Sequence, residues 1–312
     1  MEKISIIMPC YNAAAHLYKS IKSVLQQTFK DIELIVVNNG STDQSIQILR
    51  DIRDPRLRII NESIKGVCSA RNRGLAEAKS NYIAFLDADD TWRLDCLEKL
   101  YSALQKDRKA VLAYCGWQNV GLPGGKGMPY VPPDYESEGK YEYLLRDCPW
   151  PIHAALTIRN AIKTAGGFDE YLTNAEDYKL WLQIAWFHKI IRVPEAMAFY
   201  HFHSGPQATK NRAKAAKEHW SVQREFLQKH PDISKKLGFR RIRELTHGEL
   251  LKRGYVCYWE RDMDSARQIF RIVMKQGYGT LKDWKYMIPA LFPLSLHSTL
   301  IRLADKNKRA AA

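Results

Sequence analysis

Apolar runs of strand length punctuate the first part of the chain, and each closes on turn-forming or charged residues. Ile4-Ser5-Ile6-Ile7-Met8 ends at Pro9-Cys10-Tyr11-Asn12, and Glu33-Leu34-Ile35-Val36-Val37 ends at Asn38-Asn39-Gly40-Ser41-Thr42-Asp43. Tyr82-Ile83-Ala84-Phe85-Leu86 ends at Asp87-Ala88-Asp89-Asp90. Near-continuous apolar runs predict strands buried on both faces, as in parallel sheets. Leu17, Ile21, Val24 and Leu25 recur at helical spacing and predict a helix over 14–27. Strand, helix and strand of these lengths make a right-handed crossover, so both strands end at one edge of the sheet. A short strand is predicted over 57–60, then a helix over 66–78 that opens on small residues and presents Arg71 and Arg73. Three segment ends, at Tyr11, at Asn38/Asn39 and at Asp87/Asp89, are thereby predicted to line one crevice, where open α/β sheets bind nucleotides.

Beyond Trp92, a helix is predicted over 94–104 and a strand over 110–115. Residues 116–137 carry five glycines with Pro123, Pro129, Pro132 and Pro133, and predict a long loop. That loop is either a wall or lid of the crevice or a variable insertion. Gly166-Gly167-Phe168 predicts a tight turn, and Glu176-Asp177 opens a helix with Leu180, Trp181, Ile184 and Ala185 as its apolar stripe. Two strands are predicted over 190–193 and 196–202. The remainder is helical. Residues 210–229 carry Trp220, Val222, Phe226 and Leu227, and a helix pair over 245–254 and 263–276 faintly resembles one tetratricopeptide-like unit. One unit is too few for a repeat array. The fold class expected is α/β, a mixed, mostly parallel sheet flanked by helices over 1–205, with a helical appendage over 206–312.

Composition sharpens this picture in two places. Six cysteines without a Cys-x-x-Cys pair argue for reduced thiols in a cytosolic setting and against a zinc knuckle or disulfide scaffold. No signal peptide is expected, since Met1-Glu2-Lys3 leads into only a short apolar run. The net charge of +14 is uneven: residues from His201 onward hold 23 Lys/Arg against 10 Asp/Glu, while those before hold 25 against 24. Such a basic tail is either a solvated helical face or one that meets an anionic surface. No groove-reading motif is present, so nucleic acid is not expected as the partner. The apolar stretch 284–303 is broken by Pro289, Pro293 and Arg302 and is a poor membrane span. It would either lie in an anionic bilayer surface or pack on the catalytic part.

Asp87, Asp89 and Asp90 crowd three carboxylates into four positions. Clustered like charges need cations or donors, and a divalent metal carrying a diphosphate would supply them. Taken alone, the cluster reads sooner as a solvated acidic turn capping the next helix.

In order and spacing, these segments resemble the inverting family 2 glycosyltransferases with the nucleotide-sugar-binding GT-A fold. The resemblance rests on Ser5 to Asn12, Val36 to Asp43, Ser69-Ala70-Arg71-Asn72-Arg73-Gly74, Phe85 to Asp90, Gly166 to Glu170 and Ala175 to Trp181, covering about residues 3–203. It implies a bacterial-type enzyme that moves a sugar from a nucleoside-diphosphate sugar to a hydroxyl of a glycan or lipid-linked acceptor. It also implies Mn²⁺ or Mg²⁺, and work at the cytoplasmic face of the inner membrane. Carried over by position, Tyr11 takes the face of the nucleotide base and the loop Pro9 to Asn12 its edge, with Ser41 also among the nucleotide-sugar-binding residues. Arg71 faces the diphosphate, Asp87 holds the ribose or sugar, and Asp89 holds the metal. Asp177 is then the catalytic base, with Glu176 orienting or capping. Where relatives often show Tyr-Arg-x-His, this chain has His201 in place of the arginine and His203 matching the histidine. His203 is either near the metal and diphosphate or a hydrogen-bonded strand-end histidine. Asn38 and Asn39 replace the usual paired aspartates, so Asn39 either accepts a base N–H through its side-chain oxygen or merely shapes the turn. A non-catalytic nucleotide-sugar-binding protein that retains the fold is the alternative these asparagines leave open.

Overall fold

The computed structural model describes residues 3–122, 125, 127–137, 139–203 and 211–294. The chain separates into two compact units, 1–205 and 206–312.

In the first unit the described strands are β1 (Ile4–Cys10), β2 (Ile32–Asn38), β3 (Leu57–Asn61), β4 (Tyr82–Phe85), β5 (Thr91–Trp92), β6 (Ala110–Val120), β7 (Ala155–Ile158) and β8 (Lys189–His201). They form one sheet in the order β3-β2-β1-β4-β7-β6-β8-β5. The pairs among β3, β2, β1 and β4 are parallel, as is β6 with β8, whereas β7 runs against both neighbours and β5 against β8. The expected mixed, mostly parallel sheet is therefore present. Ile4, Ile6, Ile7 and Met8 on β1, with Leu34, Ile35 and Val36 on β2, are wholly buried, as runs covered on both faces must be.

The flanking helices are α1 (Leu17–Leu25), α2 (Ser45–Asp51), α3 (Val67–Glu77), α4 (Cys96–Lys106), α5 (Lys140–Arg146), α6 (Arg159–Thr164) and α7 (Glu176–Phe187). Gly74 lets α3 seat directly on β1, since a Cβ there would lie 2.4 Å from Ile7 Cγ2. That close approach fixes where the α3 side chains meet the end of β4.

Two local expectations are corrected, and two short elements are added. The glycine-rich stretch begins as strand, because β6 continues to Val120 paired with β8. Gly116 permits this: a Cβ there would sit 2.4 Å from the Tyr130 carbonyl oxygen, where the chain folds back to pair Trp117 with Tyr130. The two strands expected over 190–202 are one, which absorbs Pro194 at a register irregularity between Val193 and Ala196. The short elements α2 and β5 carried too few residues to show a period.

The second unit contains α8 (Arg212–Lys229), α9 (Pro231–Leu237), α10 (Phe239–Arg243), a π-helical turn Glu244–Gly248, α11 (Glu249–Trp259), α12 (Met263–Lys275) and α13 (Leu281–Met287). Trp220, Leu250, Ile269, Phe270, Val273 and Met287 share its core. α11 and α12 form the expected helix pair, held close by Gly254, whose added Cβ would meet the Phe270 ring at 2.7 Å. Among the described residues, no helix is long and apolar enough to cross a membrane. The stretch expected either to lie in a bilayer surface or to pack on the catalytic part is described only as far as 294; the rest of it lies outside the described residues.

Candidate functional site

Because β1, β2 and β4 are parallel, their C-terminal ends meet at one edge, with Cys10 opposite Asn38 and Leu86 N–H donating to the Ile7 carbonyl at 3.1 Å. The loops beyond β1 and β2 are stitched together. Asn12, at φ 48°, accepts the Thr42 N–H through its side-chain oxygen at 2.7 Å, and its own N–H donates to Ser41 Oγ at 3.1 Å. Asn38 accepts the Ser41 N–H at 3.0 Å and donates to Asn61 at 2.9 Å. These bonds close the pair of loops around Gly40 and leave Tyr11 58% exposed. Pro9 lies half-buried in the last turns of β1 and carries the chain into that loop.

Asn39 is engaged within the protein. Its amide donates to the Glu62 carbonyl at 3.0 Å and the Ile64 carbonyl at 2.7 Å, and its oxygen accepts the Gly66 N–H at 2.8 Å. With only 6% of its surface exposed, it braces the loop leading into α3 and is not presented to a base. A carboxylate at this position could not donate to those two carbonyls, which is a physical reason for asparagine here.

Arg71 is placed differently from the expectation. It is 2% exposed, and its guanidinium bridges two acids: Nη2 to Asp87 Oδ1 at 2.7 Å and Nη1 to Glu176 Oε1 at 2.8 Å. The Phe168 ring covers it at 5.3 Å and packs edge-on against Phe85 at 5.1 Å. Thus Arg71 ties the acidic end of β4 to the N-terminus of α7 rather than lying open to a diphosphate. Two neighbouring carboxylates hold its charge firmly in place, raising its pKa despite burial.

Helix α7 starts from Ala175, a non-glycine residue at φ 60°, where a Cβ costs about 1–2 kcal/mol. The Gly166-Gly167 turn and Asn72 hold the approach to it. Asn72 accepts the Phe168 N–H and donates to the Phe168 carbonyl, both at 2.9 Å. Asp177, half-buried in the first turn of α7, accepts the Tyr178 N–H at 2.7 Å. Desolvation, and then the neighbouring Glu176 carboxylate, push its pKa up to about 7. A carboxylate tuned to neutrality takes protons far better than an ordinary aspartate.

Beyond Asp87, Asp89 Oδ2 lies 3.0 Å from His203 Nε2, and the His203 ring stacks on His16 at 4.6 Å. Burial and the Asp87 charge raise the Asp89 pKa, and the His203 contact offsets only part of that rise. Among the described residues, no group of three acidic, histidine or cysteine side chains is placed to hold a metal. The pair Asp87 and Asp89 nevertheless fits Mg²⁺ or Mn²⁺, which take one or two carboxylates and draw remaining oxygens from water and phosphate. Asp90 is structural: it is 1% exposed, accepts the His201 N–H at 2.9 Å and lies 3.1 Å from His153 Nδ1. Burial drives the Asp90 pKa well up and that of His153 down to about 4, favouring the neutral form of both. All six cysteines are free, Cys148 half-buried and the others buried.

Sequence reasoning missed His16, His153 and the Arg71–Glu176 pair. A residue 105 positions from its partner leaves no local period to read. The only available hint was an arginine among small residues on α3, a place for a side chain pointing inward.

A family model described as Glycosyl transferase family 2 matches residues 5–156. UDP-Glc:alpha-D-GlcNAc-diphosphoundecaprenol beta-1,3-glucosyltransferase WfgD of Escherichia coli is 30% identical over 227 residues, covering 72% of this chain and 87% of that protein. The structure of S. aureus TarS 1-349 in complex with UDP-GlcNAc has TM-score 0.58 at 17% identity, covering 98% of this chain and 92% of that one. The mannosyltransferase PcManGT of Pyrobaculum calidifontis, in complex with GDP-Man and Mn²⁺, has TM-score 0.56 at 17% identity, covering 98% of this chain and 87% of that one. The chain spans only 18–26% of the length of the bacterial chondroitin and hyaluronan synthases it also matches.

Proposed function

The chain belongs to glycosyl transferase family 2, and from that premise we propose an inverting, metal-assisted glycosyltransferase of bacterial surface-polysaccharide assembly. It moves a sugar from a nucleoside-diphosphate donor to a hydroxyl of a glycan or lipid-linked acceptor. The observation that carries this reading is the buried Arg71 bridge, which sets Asp87 and the Glu176-Asp177 helix start on one rigid frame.

In this reading the exposed ring of Tyr11 stacks on the nucleotide base, while Asn12, Asn38, Asn39 and Ser41 keep its loop in shape. Asp87, whose Oδ1 is held by Arg71, takes hydroxyls of the ribose or sugar through its other oxygen. Asp89, with His203 beside it at 3.0 Å, would hold the Mn²⁺ or Mg²⁺. When bound, the ion neutralises charge on the departing diphosphate. Asp177, already fixed by the Tyr178 N–H, removes the proton from the acceptor hydroxyl. That oxygen bonds to the anomeric carbon as the bond from that carbon to the diphosphate breaks, and the nucleoside diphosphate leaves with the electron pair. Attack from the face opposite the leaving group inverts the configuration. The asparagines that pointed to a non-catalytic binder brace loops in this structure, so they give that alternative no support.

Binding of UDP-, dTDP- and GDP-sugars, measured by calorimetry with Mn²⁺ and with a chelator, tests the donor half of this reading. One donor is expected to bind at least about tenfold more tightly with Mn²⁺, since Asp89 would hold an ion that offsets the charge of the phosphates. Equal absence of binding in both conditions would overturn it.

A further inference from the structure

The loop between the Gly166-Gly167 turn and Asp177 is anchored along its backbone yet holds one aromatic side chain free of all packing. Tyr171 is 97% exposed. Its N–H donates to Asp169 Oδ1 at 3.0 Å, and the next N–H, of Leu172, donates to the Asp169 carbonyl at 3.1 Å. Asp169 is itself fixed by Lys179 of α7 at 2.7 Å. On either side, Asn72 of α3 donates to Glu170 Oε1 at 3.0 Å, and the Cys68 thiol donates to the Leu172 carbonyl at 3.4 Å. Asn72 and Cys68 both belong to α3, whose arginine bridges Asp87 and Glu176. The peptide bearing Tyr171 is therefore held to the same frame as the acidic groups, six residues ahead of Asp177.

A tyrosine ring left wholly in water forgoes burial of a large apolar area. A singly exposed aromatic is ordinary on a protein surface, and what sets Tyr171 apart is the anchoring of its peptide on both sides. Here the backbone entropy has already been lost in folding, so a ligand that covers the ring meets a preorganised surface. A pyranose ring fits such a surface: its C–H face packs on the aromatic face while its hydroxyls and the phenol O–H stay hydrated.

We propose that Tyr171 is the platform on which the acceptor sugar stacks, delivering its hydroxyl to Asp177. This rests on the transferase reading above.

Initial rates of the full chain are measured with saturating donor and a series of short-chain lipid-diphosphate-linked N-acetylhexosamines. Tyr171→Ala is expected to raise the acceptor KM about tenfold, the worth of one stacked aromatic contact. Its kcat and its acceptor-independent donor hydrolysis should stay within about twofold of the parent, and Tyr171→Trp should restore the KM. An unchanged acceptor KM, or a rise in donor KM instead, overturns the proposal. So does a parent protein that hydrolyses donor yet transfers to none of the series. Failure of the transferase reading shows separately, as absence of donor hydrolysis in the parent.

Discussion

Asp177→Asn is expected to lower transfer by about 10²–10⁴-fold, the usual contribution of a positioned general base, while leaving donor affinity within about threefold. Asparagine keeps the shape and the acceptor oxygen for the Tyr178 N–H but cannot take a proton. The variant should fold at least as stably as the parent, because it removes a carboxylate crowded by Glu176. The parent's pH profile gives a second reading of the same group. Burial raises this acid, so its inactive protonated form prevails below about 7. The value of kcat/KM should fall about tenfold per pH unit below that point and level off above it, and the limb should vanish in Asp177→Asn. A parent profile flat from pH 5 to 8 would remove Asp177 from the role.

Arg71→Met is expected to cost about 3–5 kcal/mol of stability, read from the urea midpoint followed by tryptophan fluorescence. The guanidinium is the shared partner of Asp87 and Glu176, and its removal leaves two acids facing each other with no cation between them. Arg71→Lys should recover only part of the loss, since one ammonium cannot make the same two-pronged bridge. Activity should fall in both variants because Asp87 and the start of α7 lose their common support. A loss below about 1 kcal/mol in Arg71→Met, of the size seen for exposed pairs, would show that the bridge does not hold the frame.

Much of the site's location was legible in the chain because parallel strands announce themselves. Three apolar runs, each closing on polar residues, place Tyr11, Asn38 and Asp87 at one edge without further information. The start of α7 was legible from Glu176-Asp177 ahead of an apolar stripe, and its importance came from resemblance. What stayed hidden are the pairings between distant residues. Arg71 reads as an exposed helical arginine until α3 is seen to turn it inward under Phe168. Asn39 looks like a ligand until the loop before Gly66 wraps over it. The strand through Gly116 reads as a loop because glycine lacks a side chain to carry a period, although that lack is what lets Tyr130 approach. His16 sits at a helix start with no local sign that His203 will stack on it.

The anomeric configuration of the first-formed product, read by NMR from the H1–H2 coupling before any mutarotation, tests the central claim most directly. Displacement driven by Asp177 from the face opposite the diphosphate gives a product inverted relative to the donor. A product with the donor's own configuration would require attack from the same face or a covalent intermediate, and would contradict the mechanism placed on Asp177.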